Sequence, residues 1–199
     1  MNKTVFISYS WKEPSAGIVS NWLKMSLENA TIKISVDKED CKYHDSIKEF
    51  EQKIGDADMI ISVISRPYLN SIHCMYEIAS IFEKGGEMEK RLFFIGIENI
   101  QTEAELRDYW SKELFDTETE LAATSIAREP IEKRLEQVKL ICNYLGRFMV
   151  YLSDRNRMDF TKVSEGNFRE VVNRLQNRIS EAEIPKDNLI LANNMSHNN

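Results

Sequence analysis

The segment Met59 to Ser65, M-I-I-S-V-I-S, is short and almost continuously apolar, and it limits the folds open to this chain more than any other feature. A strand with one wetted face alternates apolar and polar residues, whereas so uniform a run suits a parallel strand covered on both faces. Similar runs recur at Thr4 to Tyr9 (T-V-F-I-S-Y), Ile32 to Val36 and Arg91 to Ile97 (R-L-F-F-I-G-I). The stretches between them carry helical spacing. Alternation of this kind implies parallel β-α-β units with right-handed crossovers.

The spacing predicts a first helix with Ile18, Trp22, Leu23 and Leu27 on its apolar face and Ser15 as its N-cap. A polar connection from Asp37 to His44 leads to a second helix marked by Ile47, Phe50 and Ile54 and ending near Gly55. Met75, Ile78, Ala79 and Phe82 mark a third, stopped by Gly85-Gly86.

The rhythm then changes, because residues 99–146 separate the fourth strand from a fifth expected at Phe148 to Leu152. Thr102-Glu103-Ala104-Glu105 matches a capping box ahead of Leu106, Tyr109, Trp110 and Leu114. Pro130 can open a helix whose stripe is Ile131, Leu135, Val138, Ile141 and Leu145. A last helix shows Phe168, Val171, Val172, Leu175 and Ile179 on one face.

The fold class expected is therefore α/β, a flavodoxin-like, doubly wound five-stranded parallel sheet in the order 2-1-3-4-5. Helices cover both faces, and a helical insertion at about 99–147 precedes the last strand. A chain of 199 residues fits one domain, placed at 1–182, with a polar, Asn-rich tail at 183–199.

A net charge of -6 argues against a sequence-independent nucleic-acid surface. The apolar runs fall well short of the roughly 20 residues that cross a bilayer, so no membrane contact is expected. The start of the chain lacks the basic, apolar, small-residue order of a secretory signal. Cys41, Cys74 and Cys142 are odd in number and widely separated, as expected of reduced thiols in the cytoplasm.

Familiar phosphate, zinc and hydrolase motifs are absent: no Walker loop, no G-x-G-x-x-G, no C-x-x-C, no H-E-x-x-H and no G-x-S-x-G. What remains is the crevice that a doubly wound sheet forms beyond the carboxyl ends of its strands. Ser10, Trp11, Lys12 and Glu13 follow the first strand, Asp37 to His44 and then Asp45 and Glu49 follow the second, and Ser65, Arg66, Pro67 and Tyr68 follow the third. Trp11 offers a face for nicotinamide or adenine, or a packing surface. Lys12 and Arg66 offer charge for phosphates, or simply solvated surface.

Together F-I-S-Y-S at Phe6 to Ser10 and the segment from Ile47 to Ile78, with its Ser65, Tyr68, Ser71, Cys74 and Glu77 series, resemble a Toll/interleukin-1 receptor (TIR) domain of the bacterial type. In catalytically active members a glutamate on the helix after the second strand supports cleavage of the nicotinamide-ribose bond of NAD, and Glu49 matches that position. The resemblance implies an NAD nucleosidase or ADP-ribosyl cyclase that gives nicotinamide and ADP-ribose or a cyclic isomer, in bacterial anti-phage signalling. NAD is then a substrate, with no cofactor or metal required.

The chemistry suits a single carboxylate. Nicotinamide leaves as a neutral group while positive charge builds on the ribose, which a carboxylate beside the ring can stabilise. Glu51 projects about 200° away from Glu49 around a helix, so the two cannot serve one site equally. The substrate-binding residues implied are Ser10, Trp11, Lys12, Asp45, Ser65, Arg66 and Tyr68.

The resemblance also implies a competing reading, a non-catalytic scaffold acting through TIR-TIR assembly. The loop carrying Asp37, Asp40, Tyr43 and His44 is then the contact, and another defence protein is a further partner. Two residues depart from the family pattern. His73 stands where many members have Trp before the Cys, and His44 where many have Gly. A receiver-like protein is disfavoured, because Ser8-Tyr9-Ser10 lacks the acidic cluster such a protein carries after its first strand.

Overall fold

The structure, a computed structural model, describes residues 3–28, 32–36, 57–97, 101–154 and 158–159, with 169, 172–173, 175–177 and 179 near the C-terminus. The expected connection at 37–44 and the helix carrying Glu49 lie outside the described residues, as do Cys41, Phe168, Val171 and the 183–199 tail.

Four parallel strands form the sheet in the order β2-β1-β3-β4: β1 (Lys3–Tyr9), β2 (Ile32–Val36), β3 (Met59–Ile64) and β4 (Leu92–Gly96). A two-residue β5 (Met158–Asp159) pairs with the end of β4. Every residue of β3 is buried, as its uniform apolar run predicts. Period-two alternation sends Phe6, Ile60, Ile64 and Phe94 to one core and Val5, Ile7, Tyr9, Ile61 and Val63 to another. Each fully buried Ile or Phe contributes about 1.5–3 kcal/mol, so two such cores carry most of the drive to fold.

One face is covered by α1 (Pro14–Leu27) with Leu175 and Ile179. Contrary to the sequence expectation, α1 buries Ala16, Val19, Ser20, Leu23 and Leu27, while Ile18 and Trp22 remain 52% and 49% exposed. The small side chains of Ala16 and Ser20 sit on the buried side, a choice that counting large apolar residues misses. The N-cap is also Glu13 rather than Ser15. Pro14 takes the first helical position, where no N–H is needed, and Ser15 N donates to Glu13 Oε1 at 3.1 Å.

The other face carries α2 (Arg66–Leu69), α3 (Ile72–Lys84), α4 (Glu87–Lys90), α5 (Glu103–Ala123) and α6 (Glu129–Asp154). Ser65 caps α2 and Ser71 caps α3. Gly85 and Gly86, at φ 59° and 63°, end α3 as expected. The Thr102–Glu105 capping box forms, each residue satisfying the other's backbone N–H. Among the described residues no helix is long and apolar enough to cross a membrane.

The fifth strand expected at Phe148 to Leu152 is instead the last part of α6. Val138, Ile141, Leu145, Phe148 and Leu152 are buried at spacings of three and four, so the helical stripe continues through Gly146. Phe148 and Tyr151 then stack edge-to-face on both Phe82 and Phe94, at centroid distances of 5.5–6.5 Å. Val150, which a covered strand would bury, faces outward.

α5 and α6 form an antiparallel hairpin whose two halves differ. Near the sheet, Leu106, Trp110 and Thr117 of α5 and Val138 and Ile141 of α6 are buried. Between 118 and 137 no residue is fully buried. There Glu118 pairs with Lys139, Glu120 with Arg134, and Arg128 with Glu132, all partly or fully exposed.

Candidate functional site

The described residues of β2 pair with β1 as far as Ile7↔Val36, and β1 pairs with β3 as far as Tyr9↔Val63. Near the carboxyl ends of these strands lies a cleft of about 530 Å³ whose described lining is Tyr9, Trp11, Glu13, Pro14, Gly17, Ile18, Asn21 and Val36. Glu13, Gly17 and Asn21 fall at four-residue spacing and so form one line along α1. Gly17 leaves the wall hollow, because a Cβ there would meet Tyr9 Cε2 at 3.6 Å.

Trp11, the loop aromatic that the sequence singles out, lines the cleft at 50% exposure. Lys12 is exposed beside it, and Ser10 is buried with its carbonyl accepting from Glu13 N at 3.1 Å. Among the described residues lining the cleft there is no lysine or arginine, and Glu13 is the charged one. The described wall therefore favours stacking on a ring. Val36 ends β2 at the cleft, and Glu49 follows thirteen residues later in the sequence. Glu49, Asp45, Asp37, Asp40, Tyr43 and His44 all lie outside the described residues.

The residues after β3 sit apart from the lining. Ser65 is fully buried, its Oγ accepting from Tyr68 N at 3.2 Å. Arg66 Nη2 lies 3.3 Å from Glu105 Oε1, which commits part of its charge to the insertion. Tyr68 is fully buried; burial pushes its phenol well above the ordinary value, and the nearby Cys74 and Glu77 add to the effect. The insertion meets this segment at two further points. Trp110 Nε1 donates to Leu69 O at 3.1 Å, and Tyr109 OH donates to Asn70 O at 2.9 Å.

Behind the cleft, on the opposite face of β1, is a polar cluster within the core. Ser8 Oγ donates to Glu77 Oε2 at 3.0 Å and lies 3.3 Å from Tyr68 OH. Glu77 is 2% exposed, and the exposed His73 brings Nε2 to 3.0 Å from its Oε1, an ion pair when the imidazole is protonated. Thus His73, which departs from the family pattern, faces the buried carboxylate.

Sequence reasoning singled out Trp11 but not Tyr9, Gly17, Ile18 or Asn21. A glycine inside a helix, four residues from Glu13 and four from Asn21, was the available signal.

A family model described as TIR domain matches residues 5–126. No curated protein matches the chain in sequence. Among solved structures, the chain is similar to the TIR domains in the activated Roq1 resistosome directly recognising the pathogen effector XopQ. The TM-score is 0.50 at 16% identity, covering 88% of this chain and 98% of that one, a likeness of fold.

Proposed function

Since this chain belongs to the TIR domain family, we propose that it cleaves the nicotinamide-ribose bond of NAD in the cleft beyond β1 and β2. The observation that carries this reading is a cleft of about 530 Å³ lined by Tyr9 and Trp11 and by Val36, from which the sequence runs on to Glu49. Trp11 stacks on a ring of the dinucleotide, and Glu49 stabilises the charge that develops on the ribose. Asp45 and Lys12 supply hydroxyl and phosphate contacts, and Ser10 acts from within the wall, while Ser65, Arg66 and Tyr68 sit apart from the described lining and take no direct part.

The products are nicotinamide with ADP-ribose when water captures the ribosyl cation, or a cyclic isomer when an adenine nitrogen does. A cytoplasmic setting and a role in bacterial anti-phage signalling complete the reading. No cofactor or metal takes part.

The test is to incubate the purified protein with NAD at several protein concentrations and identify products by mass spectrometry. Glu49→Gln is expected to lower nicotinamide release by roughly 10²–10³-fold, the usual effect of losing one electrostatic stabiliser. Near-normal turnover in that variant overturns the mechanism.

A second reading, a TIR-TIR scaffold, is favoured by α1, where no exposed residue is charged and Ile18, Trp22 and Met25 fall on one face. Assembly through that face and through Asp37, Asp40, Tyr43 and His44 is compatible with catalysis. In this reading Met25→Glu lowers self-association in sedimentation experiments, and a scaffold without catalysis is the case in which no nicotinamide is released at any protein concentration.

A further inference from the structure

We propose that Glu13 selects for a dinucleotide whose adenosine ribose keeps its 2′-hydroxyl, NAD rather than NADP, and this inference rests on the NAD-cleaving reading above. Glu13 lines the cleft together with Trp11, two residues before it. Gly17, four residues on, keeps the wall between Glu13 and Asn21 hollow. A base stacked on Trp11 brings its own sugar toward that hollow, beside a carboxylate.

In many dinucleotide-binding folds the phosphates rest on the N-terminus of the helix after the first strand, where backbone N–H groups stand free. Here that turn is closed from within. Pro14 has no N–H, Ser15 N donates to Glu13 Oε1 at 3.1 Å, and Ala16 N and Gly17 N donate to Glu13 O at 3.1 and 3.4 Å. The donors that a phosphate would use are thus held by Glu13. An anion arriving there meets a like charge instead of N–H groups.

Its bond to Ser15 N also fixes the Glu13 carboxylate as the cap of α1. That bond takes one of the roughly four lone-pair sites a carboxylate offers, so hydroxyl groups can donate to the rest. A ribose with both hydroxyls free presents two such donors side by side. A 2′-phosphate replaces one of them with about two negative charges. Glu13 is half-buried, where repulsion is screened less than in open water. Lys12 is exposed and outside the described lining, and serves the pyrophosphate that both dinucleotides share.

The experiment compares the parent with Glu13→Gln, whose amide oxygen still accepts from Ser15 N, and Glu13→Ser, which caps a helix well without charge. Each is checked for native far-ultraviolet circular dichroism. Nicotinamide release from NAD and from NADP gives kcat/KM for each. The same proteins carrying Glu49→Gln give Kd for both dinucleotides by calorimetry.

The parent is expected to favour NAD by at least roughly a hundredfold in kcat/KM and in Kd, and both variants to bring that ratio within about tenfold. Loss of capping alone would weaken both dinucleotides alike and leave the ratio where it was. A parent-like ratio in either folded variant therefore overturns the proposal. So does a parent that takes NADP as well as NAD, or that binds neither. If the parent binds NAD a hundredfold over NADP yet releases no nicotinamide, the cleaving reading fails by itself, and the ratio in the Glu13 variants still decides the role of this residue.

Discussion

The indole of Trp110 donates a hydrogen bond to the carbonyl of Leu69 at 3.1 Å, tying the middle of α5 to the last residue of α2 across 41 positions of sequence. Tyr109 does the same one residue on, at Asn70, and Glu105 reaches Arg66. Three residues of the insertion thus bear on the segment that follows β3.

Trp110→Phe, which keeps most of the packing and loses the donor, is expected to cost about 1–2 kcal/mol, and Trp110→Ala about 3–5 kcal/mol. Urea denaturation at constant m-value checks both. Equal stability of Trp110→Phe and the parent would show the Leu69 contact to be energetically idle.

The Thr102 backbone N–H, then its hydroxyl, with Arg66 beyond, holds the Glu105 carboxyl below its ordinary value of 4.5. The stability this contributes is complete above that value and is lost as pH falls through the depressed one, because the unfolded chain then takes up the proton first. Melting curves from pH 7 down to pH 3 should therefore show a smaller acid-induced loss for Glu105→Gln than for the parent. Identical acid dependence removes the capping box from the pH response.

Tyr68 gives the opposite slope. Burial, reinforced by Cys74 and Glu77, raises its phenol above 10.0, so its stabilising effect is complete below that value and declines as pH rises beyond it. Tyr68→Phe should flatten the alkaline limb of the stability profile. In an ultraviolet titration of the parent, one phenol should ionise only as the protein unfolds.

Gly17 tests the cleft itself. Alanine there meets Tyr9 at an ordinary contact distance of 3.6 Å and improves helix propensity, so Gly17→Ala should add about 0.5–1 kcal/mol of stability. Gly17→Leu should fold yet fill the cleft and weaken NAD binding at least tenfold by calorimetry. Undiminished binding in that variant would move the ligand elsewhere.

The sheet was legible because β1, β3 and β4 are apolar runs that only a doubly covered parallel sheet accommodates. The capping box and the Gly85-Gly86 stop were legible because they satisfy local backbone needs that no distant residue decides. Phe148 to Leu152 was not, since a short β-branched and aromatic run reads as a strand. The continued three- and four-residue stripe, packed on the rings of Phe82 and Phe94, keeps it helical. The face of α1 misled for a related reason: Ile18 and Trp22 are larger than Ala16 and Ser20, but close approach to a sheet selects for smallness. At the candidate site, Trp11 announced itself as a loop aromatic, whereas Tyr9 depends on strand phase and Gly17 on helix rotation, both fixed by tertiary packing.

The distal half of the α5–α6 hairpin has a practical consequence. Between 118 and 137 no side chain is fully buried; Leu121, Ile131 and Leu135 are half-buried, and the surface pairs Glu118–Lys139 and Glu120–Arg134, each contributing about 0–1 kcal/mol, join the helices. Its turn carries Ile126 at 82% exposure and Ala127 at a φ of 52°. Arg128 Nη1 donates to Leu121 O and Thr124 O at 3.0 and 2.7 Å, so extra chain is expected to be tolerated best at the exposed Ser125 to Ala127. A fluorescent protein or an affinity handle can be spliced in there, giving a tagged molecule whose termini and cleft are left untouched.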